Sequence, residues 1–142
     1  MEVVMTESPA LIYPMAAMFA WTFLVMLRNV QVRVSAVLRG ELSNEYFELF
    51  SGAEPSTTVV KTGNHLRNLF EFPVLFYTVL LAALMTGISS ETLQILAWGY
   101  VALRIGHSLI HLTINKVPLR FLLYFSSNLV LLAMWLKLVH VW

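Results

Sequence analysis

Long, mainly apolar runs recur four times along this chain, separated by more polar stretches. The first, Ser8 to Leu27, lies between Glu7 and Arg28 and is long enough to carry a helix across ~30 Å of hydrocarbon. Glu2 and Glu7 stand where a cleaved leader would carry basic residues, so the segment reads as a retained span. Pro9 suits a first helical turn, and Pro14 is expected to kink the next. A second run, Phe72 to Ser90, follows Arg67 and Glu71 and closes on the turn-forming Gly87-Ile88-Ser89-Ser90. Thr92 to Asn115 is apolar apart from Arg104, His107, His111 and small polar residues, and stops at Lys116 and Pro118. The last span runs from about Arg120 to Lys137, cations whose long stems reach toward the membrane interfaces. The pattern predicts an all-α integral membrane protein, a four-helix bundle forming one domain over residues 1–142.

Composition sharpens this picture. Of 142 residues, 58% are apolar and only 12% charged, about half the charged share of a soluble domain. The surface must therefore face mostly lipid. A net charge of +1 provides no basic field for nucleic acid. The absence of Cys removes disulfides, thiolate zinc sites and a thiol nucleophile. Every acidic residue is Glu, and the scattered glycines form no phosphate loop. Chemistry is left to Arg, His, Glu, Asn, Tyr, Ser and Thr.

Cations set the expected direction. Arg28, Arg33, Arg39 and Lys61 flank the first loop, and Lys116 and Arg120 flank the third, while the second loop has neither Lys nor Arg. By the positive-inside rule the first and third loops are cytoplasmic and both termini outside, with Lys137 as the one exception. Residues 40–58 are the one stretch of soluble character, with Glu41, Glu45, Glu48 and Glu54 interrupted by Tyr46, Phe47 and Phe50. They read as a cytoplasmic loop or short surface helix. Trp98, Tyr100, Trp135 and Trp142 are candidate interface anchors.

Asn64, Arg67, Asn68 and Glu71 fall at i, i+3, i+4 and i+7, one helical face, and such groups cost several kcal/mol in hydrocarbon unless paired. Pro73 follows, so a kink is expected beside the charged turn. Arg104, His107 and His111 repeat the spacing on the third span, and Arg33 and Arg120 come from the inner ends of the first and fourth. Four arginines thus meet Glu71 alone at one membrane level. Two readings stand. The surplus calls for an anionic ligand, or Arg67 and Glu71 form a buried packing pair while Arg28, Arg39 and Lys61 bind lipid headgroups. For Arg104 alone, bundle packing is the expected role. His107 and His111 have the spacing of two metal ligands, but the neighbouring arginines would repel a cation, so no metal site is assigned. A bis-histidine haem is not expected either, because His65 and His140 lie near opposite ends of the spans.

At these residues the chain resembles the MAPEG family, the membrane-associated proteins of eicosanoid and glutathione metabolism, over nearly its whole length. The family's Arg-Asn-x-x-Glu stands as Arg67-Asn68-Leu69-Phe70-Glu71, and the Gln-Val-Arg of its prostaglandin synthase branch as Gln31-Val32-Arg33. The pattern Arg-x-x-His followed by Pro-x-Arg is met at Arg104, His107, Pro118 and Arg120. Residues 64–77 look most like the short bacterial members. The resemblance implies a homotrimer in a bacterial inner membrane, with glutathione as co-substrate between subunits in the cytoplasmic half of the bilayer. It further implies that Arg33, Arg67, Asn68, Glu71, His107 and Tyr124 hold glutathione, with His111 counted among these binding residues at a position where the family carries tyrosine, and that Arg120 stabilises the thiolate.

Three positions depart from the family pattern. Asn64 replaces a frequent arginine, His111 a tyrosine, and Phe121 the serine of the prostaglandin synthase, which weakens carboxylate binding and argues against that isomerase. The expected function is a glutathione transferase or peroxidase acting on lipophilic electrophiles from the bilayer. The alternative is a non-enzymatic module whose arginines bind anionic membrane lipid or fix oligomer packing. The orientation is directly testable: a reporter fused within residues 87–91 is expected outside the cytoplasm and one within residues 41–54 inside it. A cytoplasmic signal from residues 87–91 would overturn it.

Overall fold

The computed structural model describes residues 8–140, so Glu2, Glu7 and the expected anchor Trp142 lie outside the described residues. A 3-10 turn, Ser8–Leu11, leads into α1 (Ile12–Leu38). Five further helices follow: α2 (Asn44–Leu49), α3 (Thr57–Leu69), α4 (Phe72–Met85), α5 (Glu91–Leu112) and α6 (Val117–Val139). Four stretches are long and apolar enough to cross a membrane: α1, α3 with α4, α5 and α6. The 27 residues of α1 rise about 40 Å, more than an untilted crossing of a bilayer core needs.

Local chemistry explains the boundaries. Pro9 falls in the 3-10 turn and Pro14 in the first turn of α1, where a missing amide costs little because those amides have no partner within the helix. Ser90 caps α5 by accepting from the Leu93 amide at 3.2 Å, and Ser43 caps α2 by accepting from the Tyr46 amide at 3.3 Å. Gly87, at φ 69, supplies the left-handed residue on which the chain leaves α4.

The second span is two helices rather than one kinked helix. α3 stops at Leu69, and Glu71 sits at φ −88, ψ −97 before α4 restarts with Pro73 in its first turn. The break begins before the proline because Pro73 would clash with the carbonyl at Leu69 in a continuous helix. It also takes Glu71 off the helical face shared by Asn64, Arg67 and Asn68. Within residues 40–58 the expected surface helix is α2. Tyr46 and Phe47 from this helix cover a small cluster of Val32, Ala36, Leu42 and Val59.

The main core joins Met18 and Val25 of α1 to Phe76, Val79 and Leu80 of α4, Leu93, Ala97 and Tyr100 of α5, and Leu131 and Met134 of α6. Phe76 and Tyr100 stack at 4.5 Å between centroids. Phe19, Leu24, Leu75, Leu81, Ile95, Leu122 and Leu132 point outward, while Asn29, Thr62, His65, Arg104, His107, Ser108, His111 and Ser127 are buried. Large apolar side chains outside and polar groups inside suit a bundle whose solvent is lipid.

Arg104 is the largest buried side chain, with no exposed surface. Its Nε donates to the Tyr100 hydroxyl at 3.1 Å and its Nη2 to Asn128 Oδ1 at 2.9 Å. Its guanidinium carbon lies 5.3 Å from the Tyr100 ring centroid and 4.9 Å from that of Tyr124, within cation–π range. Tyr100 is therefore not an interface anchor. Its hydroxyl is committed to a buried cation, and Trp98 and Trp135 keep partial exposure. Removing the acceptor would leave a charged donor unmet: Asn128→Leu is expected to cost about 2–3 kcal/mol, whereas Asn128→Asp should be at least as stable as the parent. Equilibrium unfolding in mixed detergent micelles measures both.

Candidate functional site

The C-terminal halves of α3 and α5 and the start of α6 carry most of the residues singled out from the sequence. They divide into three groups. The first surrounds a cavity of about 280 Å³ between α1, α2 and α3, where Arg33, Asn64 and Arg67 meet Tyr46, Phe47 and Phe50. The Arg33 guanidinium lies 5.5 Å from the centroids of both Phe47 and Phe50, so the soluble loop supplies aromatic faces for a cation of the first span. Phe50 reaches this place from a left-handed backbone at φ 52.

The second cavity, of about 210 Å³, is lined by Asn68, His107, Val117, Arg120, Phe121 and Tyr124. Its polar members come from three helices, α3, α5 and α6. The Tyr124 ring stands 5.8 Å from that of His107 and, edge-on, 5.8 Å from Phe72, while its other neighbour is the Arg104 guanidinium. Arg120 is half-buried, and its Nη1 donates to Asn115 Oδ1 at 2.8 Å and lies 3.3 Å from His111 Nε2.

The third group is buried behind that cavity. His65 of α3 approaches His111 at 4.9 Å and His107 at 5.6 Å between ring centroids, and His107 and His111 are 5.7 Å apart. Both nitrogens of His65 and the Nδ1 atoms of His107 and His111 are buried without a hydrogen-bond partner among the described residues. His65 thus lies beside the two histidines of α5. Its position four residues before Leu69 brings it onto the α5-facing side of α3, which loop counting does not reveal. The three rings pack against one another, leaving no room for a macrocycle between them. Among the described residues no set of three or more His, Asp or Glu is arranged to hold a metal ion.

The polar residues are therefore divided sideways between two cavities. Arg67 and Asn68 are consecutive, and the ~100° step of an α-helix sends one to the Arg33 cavity and the other to the Arg120 cavity. Glu71, at the break between α3 and α4, is exposed and lines neither cavity. The Arg67–Glu71 packing pair is not formed: among the described residues the one ion pair is Arg39–Glu41, at 3.4 Å on the surface. Asn64 and Arg67 are likewise exposed, though they lie within the second membrane-length stretch. The site's supporting residues Asn115, Asn128 and His65 escape a motif search. A single polar residue near a helix end or on an apolar helix gives no sign of which cation it will meet.

Comparisons with curated proteins and with solved structures gave no match. A family model described as the MAPEG family matches residues 11–140, nearly the whole chain. Because that match takes in all four membrane-length stretches and both cavities, the chain belongs to the MAPEG family.

Proposed function

We propose that the protein binds glutathione at the inner end of its helices and transfers or adds the thiolate to a lipophilic electrophile that enters from the bilayer. The observation that carries this reading is the convergence of Asn68, His107, Arg120 and Tyr124 on one cavity. An arginine, an amide, an imidazole and a phenol around a small space suit a ligand with carboxylate and thiol groups. In the same reading Arg33 and Arg67 take carboxylates and Glu71 the glutathione ammonium.

The exposure of Asn64, Arg67 and Glu71 on a membrane-spanning segment supports a homotrimer, because lipid offers such groups no partners. An intersubunit cleft would solvate them and close the gap between the Arg33 and Arg120 cavities. The positive-inside pattern favours a cytoplasmic position for this end, where glutathione is at hand.

Arg120 supplies the chemistry in this scheme. A guanidinium beside sulfur stabilises the charged form and lowers the thiol pKa, so more of the bound ligand is nucleophilic at neutral pH. Its held edge means little reorganisation is needed as charge develops. The apolar exterior gives a lipophilic electrophile its route.

The test is to add glutathione to purified protein, record thiolate absorbance in the ultraviolet, and follow conjugation of a chlorodinitrobenzene. Arg120→Ala is expected to keep the fold and most glutathione affinity while losing ~10²–10³-fold in conjugation, equivalent to about 2.7–4 kcal/mol for a preorganised contact. Glu71→Ala should damage binding or assembly first. Unchanged thiolate absorbance and rate in Arg120→Ala would remove the role given to this residue. Absence of both signals in the parent protein would favour a non-enzymatic module that binds anionic lipid or fixes oligomer packing.

A further inference from the structure

The reversal between α5 and α6 passes through Asn115, whose backbone is left-handed at φ 49 and whose amide donates to the Ile110 carbonyl at 2.7 Å. Asparagine tolerates this conformation, but glycine adopts it with less strain. The asparagine side chain gives the position a second use: its Oδ1 accepts from Arg120 Nη1 at 2.8 Å. The same Nη1 lies 3.3 Å from His111 Nε2. A guanidinium has no lone pair to offer, so His111 Nε2 is the accepting nitrogen and the proton of a neutral ring resides on Nδ1. One nitrogen of Arg120 is thus held both by the turn and by α5. Its Nε and Nη2 make no hydrogen bond among the described residues, and the side chain lines the cavity shared with Asn68, His107 and Tyr124.

We propose that Asn115, together with His111, is a positioning residue that locks one edge of the Arg120 guanidinium and leaves its other donors for an anionic atom in that cavity. That this atom is the glutathione sulfur rests on the function proposed above; the lock itself does not. An arginine on a free stem samples many rotamers, and a contact made only part of the time stabilises a developing charge correspondingly less. Asn115 closes α5 with its backbone and aims the first turn of α6 with its side chain, so helix termination and site geometry are set by one residue.

Asn115→Gly separates the two tasks, because glycine keeps the left-handed turn and removes only the acceptor. Asn115→Asp keeps an acceptor at the same place. With the full-length protein in lipid nanodiscs and nitrogen-15 arginine labelling, the Arg120 side-chain N–H signals report the lock without any ligand. Asn115→Gly is expected to speed their exchange and guanidinium rotation by ~10-fold or more, and with glutathione present to lower thiolate absorbance and turnover by ~10-fold while leaving glutathione affinity unchanged. Asn115→Asp should restore slow exchange.

Exchange that is no faster in Asn115→Gly would overturn the proposal whatever the ligand. So would a loss of glutathione affinity equal to the loss of thiolate, which would mark Asn115 as merely structural. If the parent protein forms no thiolate, the glutathione reading fails, and the exchange rates alone decide whether Asn115 positions Arg120.

Discussion

The buried guanidinium of Arg104 ties α5 to α6 inside a bundle that has little else polar to hold those helices in register. A charge sealed from water is tolerated only when it finds partners, and here Nε is met by Tyr100 one turn earlier on α5 and Nη2 by Asn128 on α6, while Nη1 has no hydrogen-bond partner among the described residues. Apolar contacts alone specify register weakly in a membrane, because lipid tails are as apolar as the side chains they replace. A directional contact between a fully buried cation and an amide on the next helix specifies it strongly. The same guanidinium lies against the Tyr124 ring, so the contact that fixes the packing also fixes one wall of the Arg120 cavity.

From that anchor the polar groups are layered toward the end of the bundle where α5 turns into α6. Arg104 is fully enclosed, His65, His107 and His111 form a buried layer beyond it, and Arg120 and Tyr124 are half-buried where the cavity opens. Arg33, Arg67 and Asn64 occupy a separate cavity roofed by the aromatic residues of α2. The break between α3 and α4 contributes to this arrangement. By ending α3 at Leu69 it frees Glu71 from the helical face of Arg67, and two groups suited to pair within one helix are left available to something else.

Polar residues are few in a membrane protein of this composition, and here several residues carry two duties. Asn115 ends a helix and holds an arginine, Tyr100 packs in the core and solvates a cation, and α2 covers a small apolar cluster while stacking on Arg33. Such overlap makes the site sensitive to substitutions that touch no ligand, since moving a helix terminus or a register contact moves the donors that face the cavity.

The sequence by itself determined the four membrane-length stretches, the all-α class, the loop that carries α2 and the family, because each is written in local pattern. Apolar run length, proline and glycine positions, and ordered motifs such as Arg67-Asn68-Leu69-Phe70-Glu71 do not depend on what packs against what. Tertiary structure decided the rest. It separated Arg67 from Asn68 into different cavities, split the second span in two, moved Tyr100 from the membrane interface to the core, and brought His65 beside His111. It also chose Asn115 and Asn128 as the partners of Arg120 and Arg104. Each of these depends on helix rotation and register, and a polar residue on an apolar helix carries no mark of the neighbour it will meet until the helices have packed.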